Sequence, residues 1–355
     1  MGSAAAYHLS RRGVRVLGLD RFHPPHALGS SHGQTRIIRE AYFEHPAYVP
    51  LVQRAYELWH ELEGAAGTPL FLQTGGLMIG APDGVVVAGS RLSAETHHLP
   101  FEMLSAGEIH KRFPALRPEE NMIGVLEPRA GILFPEKCIA AHLANATGAE
   151  LNYDEEVVRW TSTGANVEVV TDKDTYSCGK LVLSAGSWIK QLVPELPMAV
   201  ERQVLFWFSS MEPDLFQPDR CPIHLWEHSL GKYFYGFPDV GNGVKIAGHH
   251  EGEIIHADKI NRTVSTPEIT DMHRLVSPYL PSLTGRCLES VVCMYTNTPD
   301  GHFLIDRHPS YPHVLLVSPC SGHGFKFSAA IGEVAADLVT HGCSKFDLSL
   351  FSFRW

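Results

Sequence analysis

The chain has no apolar stretch near the roughly 18–20 residues of a membrane span, and it contains no Cys-x-x-Cys pair. Its 7 cysteines are scattered and odd in number, which fits reduced thiols rather than a disulfide framework. Positive charge is scarce: 29 Lys+Arg stand against 39 Asp+Glu, for a net charge of −10. This balance argues against nucleic acid or an anionic membrane surface as partner, since both need a basic face. Met1 to Ala6 lack a basic leader and a long apolar core, so no secretory signal is read there and a cytoplasmic location is expected. Ala6, where Ser or Thr would be needed, also disfavours myristoylation. No internal repeat or low-complexity tract is present. Histidine is plentiful at 21, but His249-His250 with His256 match no standard ligand set. No metal is expected.

What is present suffices for a large core: 355 residues, 44% of them hydrophobic, enough for two domains or one large α/β unit. Residues 2–12 are Ala-rich and stop at Gly13, as a helix would; Val14 to Asp20 then alternate into an apolar strand ending in a carboxylate. A helix feeding a strand that ends in Asp is the second half of a Rossmann βαβ unit. The strand and Gly-x-Gly of the first half are not in the sequence, and Gly2 takes the place of the third fingerprint glycine. His23 to Gly33 form a loop rich in Pro, Gly, Ser and His, and Thr35–Leu62 is expected to be helical. Further on come a buried strand at Gly75–Gly80 and two helices between Leu92 and Phe113 broken by Pro100. A strand and loop follow at Gly131–Pro135, then a helix at Cys138–Thr147. Asn152–Asp172 read as β, Lys180–Trp188 as β-turn-helix, and Gln203–Phe208 and Tyr233–Gly248 as strand-rich. The end reads as strand (Val314–Val317), glycine loop and helix (Ala329–Val339). Nucleotide-binding elements thus fall near the start, middle and end, with a mixed-sheet region interleaved.

Several side chains could carry chemistry. Gly29-x-Ser31-x-Gly33 formally matches a nucleophile elbow, but Pro24-Pro25-His26-Ala27-Leu28 cannot supply the buried strand that such an elbow needs. Arg36 and Arg39, three apart in the expected helix, would share a face: a solvated basic edge, or a charge for an electron-rich ring plus a fork for a carboxylate. Lys245 and His249 lie at i and i+4 of an apolar strand and project from one face, beside Tyr233, Tyr235 and Phe237. A lysine desolvated there would have a lowered pKa. Cys293, after Val291-Val292 and ahead of a loop, reads on its own as a buried structural thiol. Lys326 follows Gly322-x-Gly324-Phe325 at a helix start, where a cation is best understood if it meets an anion.

These runs occur in one order: Gly29–Arg39, Tyr235-Gly236-Phe237-Pro238, Lys245 with His249, Cys293–Asp300 and Ser321–Lys326. In that order and approximate spacing the chain closely resembles the monomeric sarcosine oxidase family, with the related N-methyltryptophan and pipecolate oxidases, over nearly its whole length. The resemblance implies an α/β fold with an FAD-binding Rossmann-like domain (1–69, 134–197 and 300–355) and a mixed-sheet substrate domain (70–133 and 198–299). It implies FAD bound covalently through Cys293, with Gly2, Asp20, Thr35, Ala185, Gly186, Gly322, Gly324 and Phe325 on the cofactor. Arg36 and Lys245 would lie against the flavin ring, with Lys245 activating O₂. His32, His249, Tyr235 and Tyr295 would border the substrate, and Arg39 and Lys326 would clamp its carboxylate. The implied reaction is oxidation of a secondary amino acid, most simply sarcosine to glycine and formaldehyde, with O₂ reduced to hydrogen peroxide by a monomeric enzyme.

Two departures stand out. The sequence opens inside the dinucleotide fingerprint, so a longer protein carrying one more strand and a turn is expected. Ser318-Pro319-Cys320 also stands where the family has a small residue, glycine and an apolar residue. An FAD-poor binding protein of the same fold is the alternative from a different functional class.

Overall fold

The computed structural model of the protein describes residues 1–162 and 164–354. Helix Gly2–Arg11 turns at Gly13 (φ +73°) into strand Leu17–Leu19, which pairs in parallel with Glu150–Asn152. A second parallel pair joins Leu181–Leu183 to the strand Tyr311–Ser318, which also pairs antiparallel with Leu304–His308. No strand hydrogen-bonds between these two ladders among the described residues. Helices Gly2–Arg11, Pro135–Asn145 and Ser328–Thr340 pack beside them. The first and last approach closely because Ala4 faces Gly332; a Cβ on Gly332 would lie 2.6 Å from the Ala4 carbonyl carbon.

The largest layer is a nine-stranded mixed sheet. From one edge its strands run Ile254–Ile255, Ala199–Ser210, Val244–His249, Lys232–Phe237, Ile223–Ser229, Gly76–Gly80, Ile123–Glu127 and Glu102–Ser105. The 15-residue strand Leu283–Asn297 also pairs with Ala199–Ser210. Opposed residues in a ladder point to the same side. The register Tyr235↔Ala247, Phe237↔Lys245, Leu205↔Ala247 and Gln203↔Cys293 therefore brings Tyr235, Lys245, His249, Cys293 and Tyr295 to one face. A small sheet of Arg36–Ile38, Gly131–Leu133 and Phe71–Gln73 stands over that face. The mixed α/β architecture is the one expected from the sequence. No helix among the described residues is long and apolar enough to cross a membrane.

Three local expectations are corrected. Thr35–Leu62 is not one helix: Arg36–Ile38 is a strand, and the helix runs Val49–Ala66. β-branched Ile37 and Ile38 complete the ladder with Gly131–Leu133, a partner distant in sequence. The chain re-enters helix only after His45, whose ring accepts from the Ala47 N–H with Pro46 following. Arg36 and Arg39 are consequently not neighbours on a helix face. Between Leu92 and Phe113, Pro100 separates helix Val85–Thr96 from a strand, Glu102–Ser105, and a Ser105–Glu108 capping box then starts helix Ala106–Arg112. Cys293 lies inside its strand, which continues to Asn297 before the loop. The β stretch read at 152–172 resolves into Val157–Ser162 and Val167–Thr171, with Thr163 outside the described residues.

Candidate active site

A cavity of about 1090 Å³ runs from the start of helix Gly2–Arg11 to the face of the large sheet that carries Tyr235, His249, Cys293 and Tyr295. At one end that helix presents its first turn, with no acidic residue and no side-chain cap, so its leading N–H groups are free for an anion. Gly2 leaves room there: a Cβ would come within 2.9 Å of Ser184 Oγ. Asp20 closes the strand Leu17–Leu19, and Ala185 and Gly186 follow Leu181–Leu183; all three line the same cavity.

Farther in, two cations approach without an anionic partner. Arg36 donates to the carbonyls of Thr35 and Ser30, both at 2.8 Å, and its Nη2 lies 3.8 Å from Cys293 Sγ. Lys245 is 2% exposed. Its Nζ donates to Gly33 O (2.6 Å), Thr35 O (2.9 Å) and Thr35 Oγ1 (3.1 Å). Burial, reinforced by Arg36, holds the Lys245 pKa well below the usual lysine range. Glu136 fixes the loop that supplies these acceptors, taking the Gly33 and Gln34 N–H groups at 2.8 and 3.1 Å. Gly33 is required there: φ is +90°, and a Cβ would meet Leu205 at 2.5 Å. His32 is buried, and burial together with Arg36 pushes its pKa down to about 3, so it is neutral. Its Nε2 has no hydrogen-bond partner among the described residues.

The far end is a second charged cluster. Arg39 forks onto both Glu44 oxygens (2.9 and 2.7 Å), donates to Ala41 O (2.9 Å), and packs over the Tyr42 and Phe43 rings. Burial opposes both charges of this pair, yet their mutual attraction outweighs it, raising Arg39 and lowering Glu44. Lys326 donates to His323 O (2.8 Å) and Tyr42 Oη (3.3 Å); burial, then Arg39, push its pKa down to about 7. His249 Nδ1 meets Tyr295 Oη at 3.1 Å, and burial, then His250, keep the imidazole neutral. Gly322 makes that pair possible, because a Cβ would lie 2.5 Å from Tyr295 and 2.9 Å from His249. Gly324 is equally constrained, since a Cβ there would lie 1.9 Å from the Pro319 carbonyl oxygen, and Phe325 stacks on Trp59. Cys320 lines the cavity with its thiol pushed up to about 11 by burial.

Most of the residues singled out from the sequence line this one cavity. His32, Thr35 and Lys245 stand just behind its wall. Sequence reasoning missed Glu44, Tyr42 and Glu136, and gave His323 no role. No motif marks Tyr42, Glu44 and Glu136, which reach the site through the turn after Arg39 and the start of helix Pro135–Asn145, whereas His323 lies in the Ser321–Lys326 run.

Residues 1–338 match the family described as FAD dependent oxidoreductase. The chain belongs to that family. This oxidoreductase is 45% identical to a monomeric sarcosine oxidase of Streptomyces avermitilis, covering 100% of this chain and 94% of that one. It is 35% identical to an N-methyl-L-tryptophan oxidase of Salmonella dublin, covering 99% and 95% respectively. Among solved structures, NikD, an unusual amino acid oxidase essential for nikkomycin biosynthesis, superimposes with a TM-score of 0.85 at 22% identity, covering 99% and 94%; this likeness speaks for the fold.

The site of the oxidoreductase fits FAD on its own geometry. The cavity has the volume for a dinucleotide. An uncapped helix start meets one end of it, and farther in Arg36 and Lys245 bring positive charge with no carboxylate partner among the described residues.

Proposed function

We propose that this FAD-dependent oxidoreductase oxidises N-methyl amino acids, sarcosine foremost, to the demethylated amino acid and formaldehyde, with O₂ as electron acceptor. The observation that carries the reading is one cavity with two separate cationic clusters, Arg36 with Lys245 behind the wall and Arg39 with Lys326, joined by an aromatic wall of Tyr235, Phe237 and Tyr295. FAD, when bound, takes two electrons from the substrate C–N unit and delivers them to O₂, and water hydrolyses the resulting imine: sarcosine, O₂ and H₂O become glycine, formaldehyde and H₂O₂.

The remaining work falls to the chain. Gly2, Asp20, Ala185 and Gly186 would hold the nucleotide portion, with Thr35, Gly322, Gly324 and Phe325 around the ring portion. Cys293 would bond covalently to the flavin, because its sulfur lies on the cavity wall beside Arg36. Arg36 and Lys245 would supply positive charge where the electrons arrive, and Lys245 would favour their passage to O₂. Arg39 and Lys326 would take the substrate carboxylate, which requires Arg39 to exchange Glu44 for the ligand. Neutral His249 and His32 add no charge beside an amine that must react as its free base, while Tyr235 and Tyr295 exclude water. We assign 1–69, 134–197 and 300–355 to an FAD-binding domain and 70–133 and 198–299 to a substrate domain, in a cytoplasmic monomer.

The test is substrate-dependent peroxide release from the purified protein with sarcosine, N-methyltryptophan and pipecolate. It is combined with acid precipitation, which leaves only covalent flavin in the pellet. We expect sarcosine to give the highest kcat/KM and the pellet to be yellow, turning colourless in Cys293→Ser. A colourless wild-type pellet overturns the covalent assignment. Absence of peroxide with all three substrates overturns the activity in favour of an FAD-poor binding protein.

A further inference from the structure

Behind Arg39, on the side away from the cavity, a buried carboxylate holds the backbone. Glu127 ends the strand Ile123–Glu127 opposite Gly76 in the large sheet and is 2% exposed. Its Oε1 accepts from the Glu40 N–H at 2.7 Å and its Oε2 from the Ala41 N–H at 2.8 Å. These are the two residues after Arg39, and the Ala41 carbonyl in turn accepts from the Arg39 guanidinium at 2.9 Å. The turn is thus bracketed: one carboxylate grips its two N–H groups, and the arginine it carries closes back on its carbonyl. Such bonds to an ionised acceptor are stronger than neutral ones, and burial leaves no water to replace them. A second tie runs from the same strand end, where Arg129 lies 3.3 Å from the otherwise unpartnered, buried Glu40 carboxylate. Burial pushes the Glu127 carboxyl up to about 7 against the pull of the two N–H groups, a cost that nothing in the cavity chemistry requires, since Glu127 does not line it.

We propose that Glu127 is a positioning residue for the substrate carboxylate: by clamping the Arg39–Ala41 turn to the end of the large sheet, it aims the Arg39 guanidinium into the cavity. The inference rests on the reading of Arg39 as the carboxylate fork. Glu127→Gln is nearly isosteric but turns an NH₂ toward a backbone N–H, so the turn must shift. Glu127→Asp keeps both acceptors on a shorter stem.

The experiment titrates acetate into the FAD-loaded Arg39→Met, Glu127→Gln and Glu127→Asp proteins, following flavin absorbance, and measures KM and kcat for sarcosine in parallel. The expected result for Glu127→Gln is an acetate Kd and a KM raised on the order of tenfold to hundredfold, with kcat within about threefold of wild type. Glu127→Asp should recover part of the loss, and it carries the test alone if the Gln variant does not fold. If Arg39→Met weakens acetate but neither Glu127 variant does, the positioning role is overturned and the Arg39 reading stands. A fall in kcat at unchanged KM and Kd overturns it equally. If Arg39→Met leaves acetate binding unchanged, the fork reading fails and takes this inference with it.

Discussion

Lys245 is buried with three oxygen acceptors and, among the described residues, no carboxylate in contact, so its Nζ is held by backbone and hydroxyl dipoles and by the Trp207 and Phe237 rings. Placed beside Arg36, such a group serves an electron-rich neighbour better than it serves stability. Replacing it with Met keeps the volume and removes the charge. Lys245→Met should slow reoxidation by O₂ on the order of 10²-fold or more while leaving anaerobic flavin reduction within a few-fold, as read by stopped flow. Equal slowing of both half-reactions would count against the role. Lys326 offers a test by pH. Its pKa of about 7, lowered by burial and then by Arg39, means that it loses its charge as pH rises through neutrality. The groups facing it are Arg39, Glu44, His323 and Tyr42. Glu44 is lowered, Tyr42 raised, and His323 pushed down to about 4, so none of them changes charge between pH 6 and about 8. Acetate affinity should therefore fall as pH rises from 6 to about 8. Glu127, also at about 7, gains its clamping charge over that range and acts in the opposite sense. In Lys326→Met the fall should vanish, leaving affinity flat or rising; an unchanged fall would mean another group titrates.

Among the elements, the contact of helix Gly2–Arg11 with Ser328–Thr340 depends on Ala4 facing Gly332, and it sets the helix start at the mouth of the cavity. Gly332→Val must push the helices apart, costing about 1–3 kcal/mol as overpacking does, seen as a lower midpoint in thermal melting. An unchanged midpoint would show that the helix pair can slide at no cost. This is also the scale at which sequence reasoning lost ground. The alternation ending at Asp20 and the strand patterns around Lys245 and Cys293 were legible because each carries its own periodicity. Arg36–Ile38 was not. Three residues are too few for a period, and what makes them a strand is a ladder with Gly131–Leu133, almost a hundred positions away. The misreading propagated to Arg36 and Arg39, which belong to two separate clusters of the cavity instead of one helix face.

Across the whole molecule, Asp258 ties the edge of the large sheet to segments that line the cavity. One carboxylate from the turn after Ile254–Ile255 accepts from Arg21 (2.8 Å), Trp188 Nε1 (2.7 Å) and Gln191 Nε2 (2.6 Å), all of which line the cavity. Asp258→Ala should lower stability by about 1–2 kcal/mol, modest because the site is partly solvated, and should speed loss of noncovalently held FAD in a Cys293→Ser background. Retention equal to that of the single variant would show that the Asp258 bonds do not help to hold FAD. The Cys293 and Lys326 runs and the aromatic strand were legible in the sequence itself through their order along the chain, which carries the family resemblance. Only the tertiary structure decided that Glu44 occupies the Arg39 fork, that Glu136 and Glu127 hold the loops beneath Lys245 and Arg39, and that Arg36, Arg39 and Lys326 line one cavity with Lys245 behind its wall. Each of these depends on backbone N–H groups or guanidinium forks meeting a carboxylate from a remote strand or helix, and such meetings leave no trace in local spacing.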